Sequence, residues 1–390
     1  MNQFFEPKLI EALKDQPTPF YYYDLDVLEH TLKAIQKAVG DSPFHVHYAI
    51  KANANAEILK KIKAYGLGID CVSGEEVTAA LKHGFTVDQI AFAGVGKRDD
   101  EIELGINAGI FTFNVESLEE LKVINQIAEE LDSEVNVALR FNPNVNAKTH
   151  EYITTGLDEN KFGINEWEVD ALFELLPQLR RLNIRGLHFH IGSQITDLSV
   201  YKNLCNRVNE FQRIFRERGY QLDHVNVGGG LGVNYDDPDA ELIPDFNSFF
   251  NLFREFVFLY PRQTLHFELG RAVVAQCAAL ITKVLYIKKG LKKNFLILDA
   301  GMTELIRPAL YQSYHKIQNL SRPAQAEKES YDVVGPVCES SDCFGKAVQL
   351  PVSSRGDLYA IRSTGAYGEV MRSSYNLRKA AKTLYKNELT

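Results

Sequence analysis

The sequence predicts an α/β chain: a (β/α)8 TIM-type barrel plus a second, mostly β-sheet domain. Three observations point there. Eight short β-type runs alternate with helix-type runs between residues 26 and 271. After Arg271 the alternation gives way to strand-like runs with few helices between them. Lysine, histidine and glutamate stand on the polar faces of several strands, near their C-terminal ends.

The eight strand candidates are His45–Lys51, Leu67–Ser73, Gln89–Gly94, Phe111–Glu116, Val135–Asn142, Ile184–Gly192, His224–Gly230 and Thr264–Arg271. Helical spacing fills the gaps at Glu57–Tyr65, Glu75–His83, Leu118–Leu131, Glu166–Leu179, Val200–Arg218 and Phe246–Phe258. Ser73 stands three residues before Glu76, a capping-box spacing. Gly66, Gly84 and Gly109 follow helical patterns, where a left-handed residue commonly ends a helix. Asp26–Val39 reads as a helix ahead of the first strand, and no clear helix follows the eighth, so this leading helix fills the last slot. A doubly wound open sheet is the alternative topology, for which eight units is a high number.

Beyond the barrel, Ala278–Lys288, Phe295–Asp299, Tyr331–Val337, Ala347–Val352 and Asp357–Arg362 are strand-like. Thr18–Asp24, with three consecutive tyrosines, is strand-like too and is expected to join that sheet. The expected domains are therefore a barrel over 25–271 and a β-rich domain from 1–24 and 272–390, which completes the active site.

Alternation sharpens the barrel. Val46, Tyr48 and Ile50 oppose His45, His47 and Lys51; Leu187, Phe189 and Ile191 oppose His188 and His190. Leu265, Phe267 and Leu269 oppose His266 and Glu268, and Val137, Leu139 and Phe141 oppose Asn136, Arg140 and Asn142. The apolar faces should meet the helices and the polar faces the axis. Barrel interiors are usually apolar, so this polarity marks a site.

Composition narrows the partners. The 390 residues are 45% hydrophobic and 24% charged, the balance of a globular chain with room for two domains. A net charge of −8 without a basic run argues against nucleic acid. The first sixteen residues show no cationic head followed by an apolar core, and no run of 18 apolar residues occurs, so neither a secretory signal nor a membrane span is expected. Cys71, Cys205, Cys277, Cys338 and Cys343 are scattered without a C-x-x-C pair. That predicts no disulfide framework, no metal site and a reducing, cytoplasmic setting.

Four features carry chemistry, each with two readings. Lys51 is a lysine at a strand end facing the axis, either a Schiff-base former or a side chain reaching the rim. Gly228, Gly229 and Gly230 follow the seventh strand, where barrels often bind phosphate, and are either an anion cradle or a flexible turn. Glu268 is either a partner for a ring nitrogen or half of a salt bridge to Arg271; His190 is either a stacking ring or a core histidine. Cys338 and Cys343 are either small buried hydrophobes or, with a suitable pKa, proton donors.

Taken in order, several segments resemble one family. They are Tyr48-Ala49-Ile50-Lys51-Ala52-Asn53, His188-Phe189-His190-Ile191-Gly192-Ser193-Gln194, Glu268-Leu269-Gly270-Arg271, Leu305-Ile306-Arg307-Pro308-Ala309-Leu310-Tyr311, Cys338-Glu339-Ser340 and Gly365-Ala366-Tyr367-Gly368. Over nearly its whole length the chain resembles the alanine-racemase-like, fold type III pyridoxal-phosphate-dependent decarboxylases, and most closely the diaminopimelate decarboxylases. The resemblance implies pyridoxal 5'-phosphate as cofactor, held by Lys51 through a Schiff base. It further implies that His190 stacks on the pyridine ring and Glu268 pairs with its nitrogen. Ser193, Gly228, Gly229, Gly230 and Tyr367 would hold the phosphate; Arg271, Arg307, Tyr311, Glu339 and Tyr367 would bind an amino-acid substrate. Cys338 would act as general acid from the second subunit of a homodimer, whose active site lies at the subunit interface.

The implied reaction is decarboxylation of meso-2,6-diaminopimelate to L-lysine and carbon dioxide. A far end bearing both an amine and a carboxylate needs both signs of charge, and Arg307 with Glu339 supplies them. Decarboxylases of the ornithine type carry glycine where Gln194 follows Ser193, and racemases of this group present an arginine where Glu268 stands. The alternatives are another basic amino-acid or polyamine-pathway decarboxylase and a non-enzymatic pyridoxal-phosphate carrier barrel, which lacks a second domain. Leu269, Ser341 and the segment Glu369 to Ser374 depart from the family pattern.

Overall fold

A computed structural model describes residues 4–145 and 161–389. By its contacts the chain divides into two compact units: residues 32–232 with 245–270, and residues 1–31 with 233–244 and 271–390.

The chain begins with α1 (Pro7–Lys14), β1 (Phe20–Tyr23) and α2 (Leu25–Val39). The first unit then lays down β2 (Phe44–Ala49), β3 (Gly68–Cys71), β4 (Ile90–Phe92), β5 (Thr112–Val115), β6 (Val135–Phe141), β7 (Leu182–Phe189), β8 (His224–Asn226) and β9 (Thr264–Leu269). They form a closed parallel barrel, with β9 returning to pair with β2 from Phe44↔Leu265 to Tyr48↔Leu269. Between the strands run α3 (Ala56–Ala64), α4 (Gly74–Lys82), α5 (Asp99–Ala108), α6 (Leu118–Glu130), α7 (Val169–Leu175), α8 (Ser199–Glu217) and α9 (Phe246–Phe256). The expected barrel is thus present, and the open-sheet alternative falls away.

The apolar strand faces do meet the helices. On α9, Phe246, Phe249, Phe250 and Phe253 follow helical spacing and are buried. Three of their rings close on Phe267 of β9, with centroids 5.7, 4.9 and 5.0 Å away. Such a cluster drives packing, and Phe267→Ala would cost about 3–5 kcal/mol.

Two details of the sequence reading are corrected. The strands stop earlier than their apolar runs suggest. Lys51 lies not on a strand but in a single 3₁₀ turn, Ile50–Ala52, just beyond β2. Gly228–Gly230 likewise lie in the loop after β8, and Arg271 opens the short helix α10 (Arg271–Val274). In addition, α5 has no counterpart among the expected helices. It presents only a few apolar side chains, so its periodicity is faint; its start is fixed by Glu101 accepting from the Arg98 N–H at 3.0 Å.

The second unit is a mostly antiparallel sheet of eight strands. Its further strands are β10 (Ala278–Lys289), β11 (Asn294–Leu298), β12 (Ile317–Asn319), β13 (Lys328–Val334), β14 (Cys343–Pro351), β15 (Leu358–Arg362) and β16 (Lys382–Tyr385), with α11 (Arg307–Tyr311) preceding β12. The path is β12-β15-β10-β11-β13-β14. β1 pairs antiparallel with β10 and parallel with β16, so the tyrosine-rich run joins this sheet as its composition suggests. All four of its residues are buried.

Candidate active site

The barrel interior is polar in layers. Toward the strand starts, His47, His224 and His266 gather around Phe111, and His45 packs on His266. His47 Nε2 and His266 Nδ1 are 2.8 Å apart. Deeper along the strands lies Glu268, 6% exposed. Asn226 of β8 donates to its Oε1 at 2.8 Å and Asn114 of β5 to the same oxygen at 3.1 Å. His188 Nε2 is 3.0 Å from that oxygen too, a close contact outside hydrogen-bond alignment. Burial alone would raise the Glu268 carboxyl. The His188 ring first, then Lys51, reverse that effect and hold it well below the usual carboxylate range. Oε1 is therefore fully engaged. Oε2 makes no hydrogen bond among the described residues.

At the C-terminal ends of the strands, Lys51 Nζ stands 3.2 Å from Asp70 Oδ2, with the lysine part-exposed and the aspartate buried. Burial first, and Glu268 next, raise the Asp70 carboxyl. His190 lies one residue past β7, and its Nδ1 accepts the Gly229 N–H at 3.3 Å. Burial, then Arg140 and Lys51, push its pKa down to about 3, so the ring is neutral.

The three glycines are required by space. A Cβ at Gly229 would stand 1.7 Å from the Glu268 carbonyl oxygen. One at Gly230, where φ is +94°, would stand 2.4 Å from the Gly192 oxygen. The backbone of this loop thus lies directly against the next strand. Asn226 Oδ1 takes the Gly228 N–H at 2.8 Å, while the Gly230 N–H has no acceptor among the described residues. Ser193 is half-buried in the loop after β7.

These features fit pyridoxal phosphate. A part-exposed lysine, a buried carboxylate with one oxygen unengaged and a neutral imidazole belong to one barrel and influence one another electrostatically. The glycine loop offers an N–H to an anion and leaves no room for a side chain. Among the described residues no group of three or more histidine, cysteine or acidic side chains could hold a metal ion.

In the sheet unit, Arg271 and Arg307 are 6% and 4% exposed and converge on one phenol. The Tyr235 hydroxyl accepts from Arg271 Nη1 at 2.7 Å and from Arg307 Nη1 at 3.0 Å. Arg307 Nη1 also donates to His315 Nε2 at 2.7 Å, a tautomer fixed because His315 Nδ1 donates to the Arg362 carbonyl at 2.8 Å. The Arg271 guanidinium lies 4.9 Å from the centre of the Tyr367 ring. Tyr311, at the end of α11, is half-buried. No carboxylate lies within ion-pair distance of Arg307 among the described residues.

Cys338 and Glu339 are exposed. Glu339 accepts from the Tyr375 hydroxyl at 2.7 Å. Among the described residues no hydrogen bond or ion pair links either of them to Arg271, Arg307 or Tyr367. Cys343 is half-buried, and all five cysteines are free thiols.

The sequence reading missed Asp70, Asn114, Asn226 and Tyr235. The two asparagines sit at polar-face strand positions, which is their only local signal. Tyr235 has none beyond following the glycine loop.

The chain is similar to known proteins over nearly its whole length. A family model described as "Pyridoxal-dependent decarboxylase, pyridoxal binding domain" matches residues 25–275. A diaminopimelate decarboxylase of Bacteroides thetaiotaomicron is 54% identical, over 97% of this chain and 98% of its own. The crystal structure of diaminopimelate decarboxylase from Helicobacter pylori complexed with L-lysine superimposes with a TM-score of 0.89 at 39% identity, covering 96% of this chain and 93% of that one. The M. jannaschii enzyme in co-complex with L-lysine gives a TM-score of 0.87 at 35% identity, covering 97% and 89%.

Proposed function

The chain belongs to the pyridoxal-dependent decarboxylases and, among them, to the diaminopimelate decarboxylase family, and on that premise we propose that it converts meso-2,6-diaminopimelate to L-lysine and carbon dioxide. This is the closing step of lysine formation. When bound, pyridoxal phosphate supplies the sink for the electron pair of the broken carbon–carbon bond.

The protein's residues would divide the work as follows. Lys51 would hold the cofactor, with Asp70 as its ionic partner at 3.2 Å. Ser193, Gly228 to Gly230 and Tyr367 would hold the phosphate. The neutral ring of His190 would stack on the pyridine. Glu268, kept ionised by its surroundings, would use Oε2 to favour a proton on the pyridine nitrogen. Arg271, Arg307 and Tyr311 would bind substrate carboxylate, and Glu339 the distal ammonium. The Cys338 thiol, offered across the interface of a homodimer, would deliver a proton to the carbon that loses carbon dioxide. Its exposure on the single chain supports a role against a second subunit.

The observation that carries the substrate reading is the meeting of two buried guanidiniums on the Tyr235 hydroxyl. Buried positive charge without a carboxylate for Arg307 is costly, and an anionic ligand relieves it. An amino acid with a second carboxylate fits that demand; a diamine does not. Among the described residues no helix is long and apolar enough to cross a membrane, and five free thiols support a reducing, cytoplasmic site of action.

The test is product analysis. Purified protein with pyridoxal phosphate and meso-diaminopimelate should release lysine and carbon dioxide in equal amounts, read by mass spectrometry. Cofactor binding without lysine would move the substrate to ornithine, arginine or carboxynorspermidine.

A further inference from the structure

We propose that Tyr235 is itself a ligand of the substrate carboxylate, donating its hydroxyl proton to the anion that Arg271 and Arg307 attract. The inference rests on the substrate reading above and adds to it a residue that neither sequence motif nor resemblance marks.

The argument is a count of hydrogen-bonding capacity. A phenol has one proton and two acceptor lone pairs. Both lone pairs of Tyr235 are taken, by Arg271 at 2.7 Å and Arg307 at 3.0 Å. Its proton must therefore point away from both guanidiniums. No acceptor for it exists among the described residues, and the side chain is 7% exposed. A buried donor left without an acceptor is destabilising. A carboxylate drawn in by the two arginines brings the missing acceptor, with oxygens to spare for both guanidiniums.

Geometry alone also fits a spacer between two like charges. A spacer needs the ring and the lone pairs; a ligand needs the proton. Among the described residues, the charged and titratable groups facing Tyr235 are Arg271, Arg307 and His315, whose ring stands edge-on at 4.9 Å. Burial would raise the hydroxyl's pKa, but Arg271 and Arg307 outweigh it and bring it below the ordinary tyrosine value. His315 is kept neutral, first by its burial and then by Arg307. The proton that the ligand role requires is thus lost at a lower pH than an ordinary tyrosine's, which separates the two roles.

The experiment measures binding of pimelate, the seven-carbon dicarboxylate without amines, to the pyridoxal-phosphate-loaded enzyme by calorimetry. Tyr235→Phe keeps the ring and removes the proton, and its affinity for pimelate should fall about tenfold or more. Wild-type affinity should also fall as pH rises through the lowered tyrosine pKa, and that slope should vanish in the variant. Equal affinities, or no pimelate binding by the wild type, would overturn the proposal. Should Tyr235→Phe fail to fold, a wild-type affinity independent of alkaline pH overturns it alone. Pimelate binding needs no turnover, so failure here is distinct from a wild type that releases no lysine.

Discussion

Asn226 Nδ2 donates to Glu268 Oε1 at 2.8 Å, across the pairing of β8 with β9. The same asparagine accepts the Gly228 N–H through its Oδ1 at 2.8 Å. One side chain therefore ties the buried carboxylate to the glycine loop. Asn226→Asp keeps the acceptor for Gly228 and replaces the donor with a like charge. Repulsion then raises the Glu268 pKa, so Glu268 takes up a proton as pH falls and can no longer favour a protonated ring nitrogen. The expected result is a kcat lowered about 10- to 100-fold near neutrality and recovering toward alkaline pH. A kcat–pH profile matching the wild type would refute the coupling.

Lys51 offers a cleaner test. Lys51→Ala should lose the absorbance band of lysine-linked cofactor and lower turnover by about 10³-fold or more. Asp70→Asn should leave the band in place and shift its pH midpoint downward, because an anion 3.2 Å from the nitrogen favours its charged form. A normal band and wild-type turnover in Lys51→Ala would remove this residue from the chemistry.

Arg307→Ala tests the anion subsite. Loss of a buried charged donor should depress kcat/KM for meso-diaminopimelate by roughly 10²-fold or more. His315 loses its donor in the same variant, so Arg307→Lys is the companion. A lysine supplies charge without the guanidinium fork and should recover only part of the loss. An unchanged kcat/KM in Arg307→Ala would exclude the subsite.

What the sequence made legible was local. Each barrel strand announces itself by alternation over a few residues, and His45, His47, His188, His266 and Glu268 stand out because they occupy polar faces in otherwise apolar runs. The glycine triplet is visible for the same reason. Partners far apart in the chain are not visible. Asn226 and Asn114 lie 42 and 154 residues from Glu268, and nothing near them marks their target. Tyr235 lies 36 and 72 residues from its two arginines. Strand ends were overrun because apolar residues continue into turns, as at Ile50. The three- and four-residue strands β12 and β16 are too short to show a period.

The histidine cluster around Phe111 makes a prediction about stability rather than catalysis. Burial lowers His47 to about 4 and His224 to about 3, the latter with further lowering from His47 and His188. An unfolded histidine titrates near 6.5. Between that value and the folded one, the unfolded chain binds more protons, so stability falls as pH falls. The stabilisation is whole above pH ~6.5 and is lost on the way down to the folded pKa, at ~1.4 kcal/mol per pH unit for each such histidine. Asp70, whose raised carboxyl takes up protons in the folded state, works in the opposite direction. Paired carboxylates contribute mainly below pH ~5. Asp70, raised to about 7, acts across the same window from pH ~6.5 to ~5 and offsets about one of the histidines; the remaining lowered rings outnumber it, so the thermal midpoint should still drop there. His224 Nε2 has no hydrogen-bond partner, so His224→Leu removes a titrating ring without orphaning that nitrogen's neighbour. The variant's midpoint should vary less steeply with pH over this window, whatever its absolute stability. Equal slopes would mean that the His224 ring takes up its proton in the folded barrel as readily as in the unfolded chain.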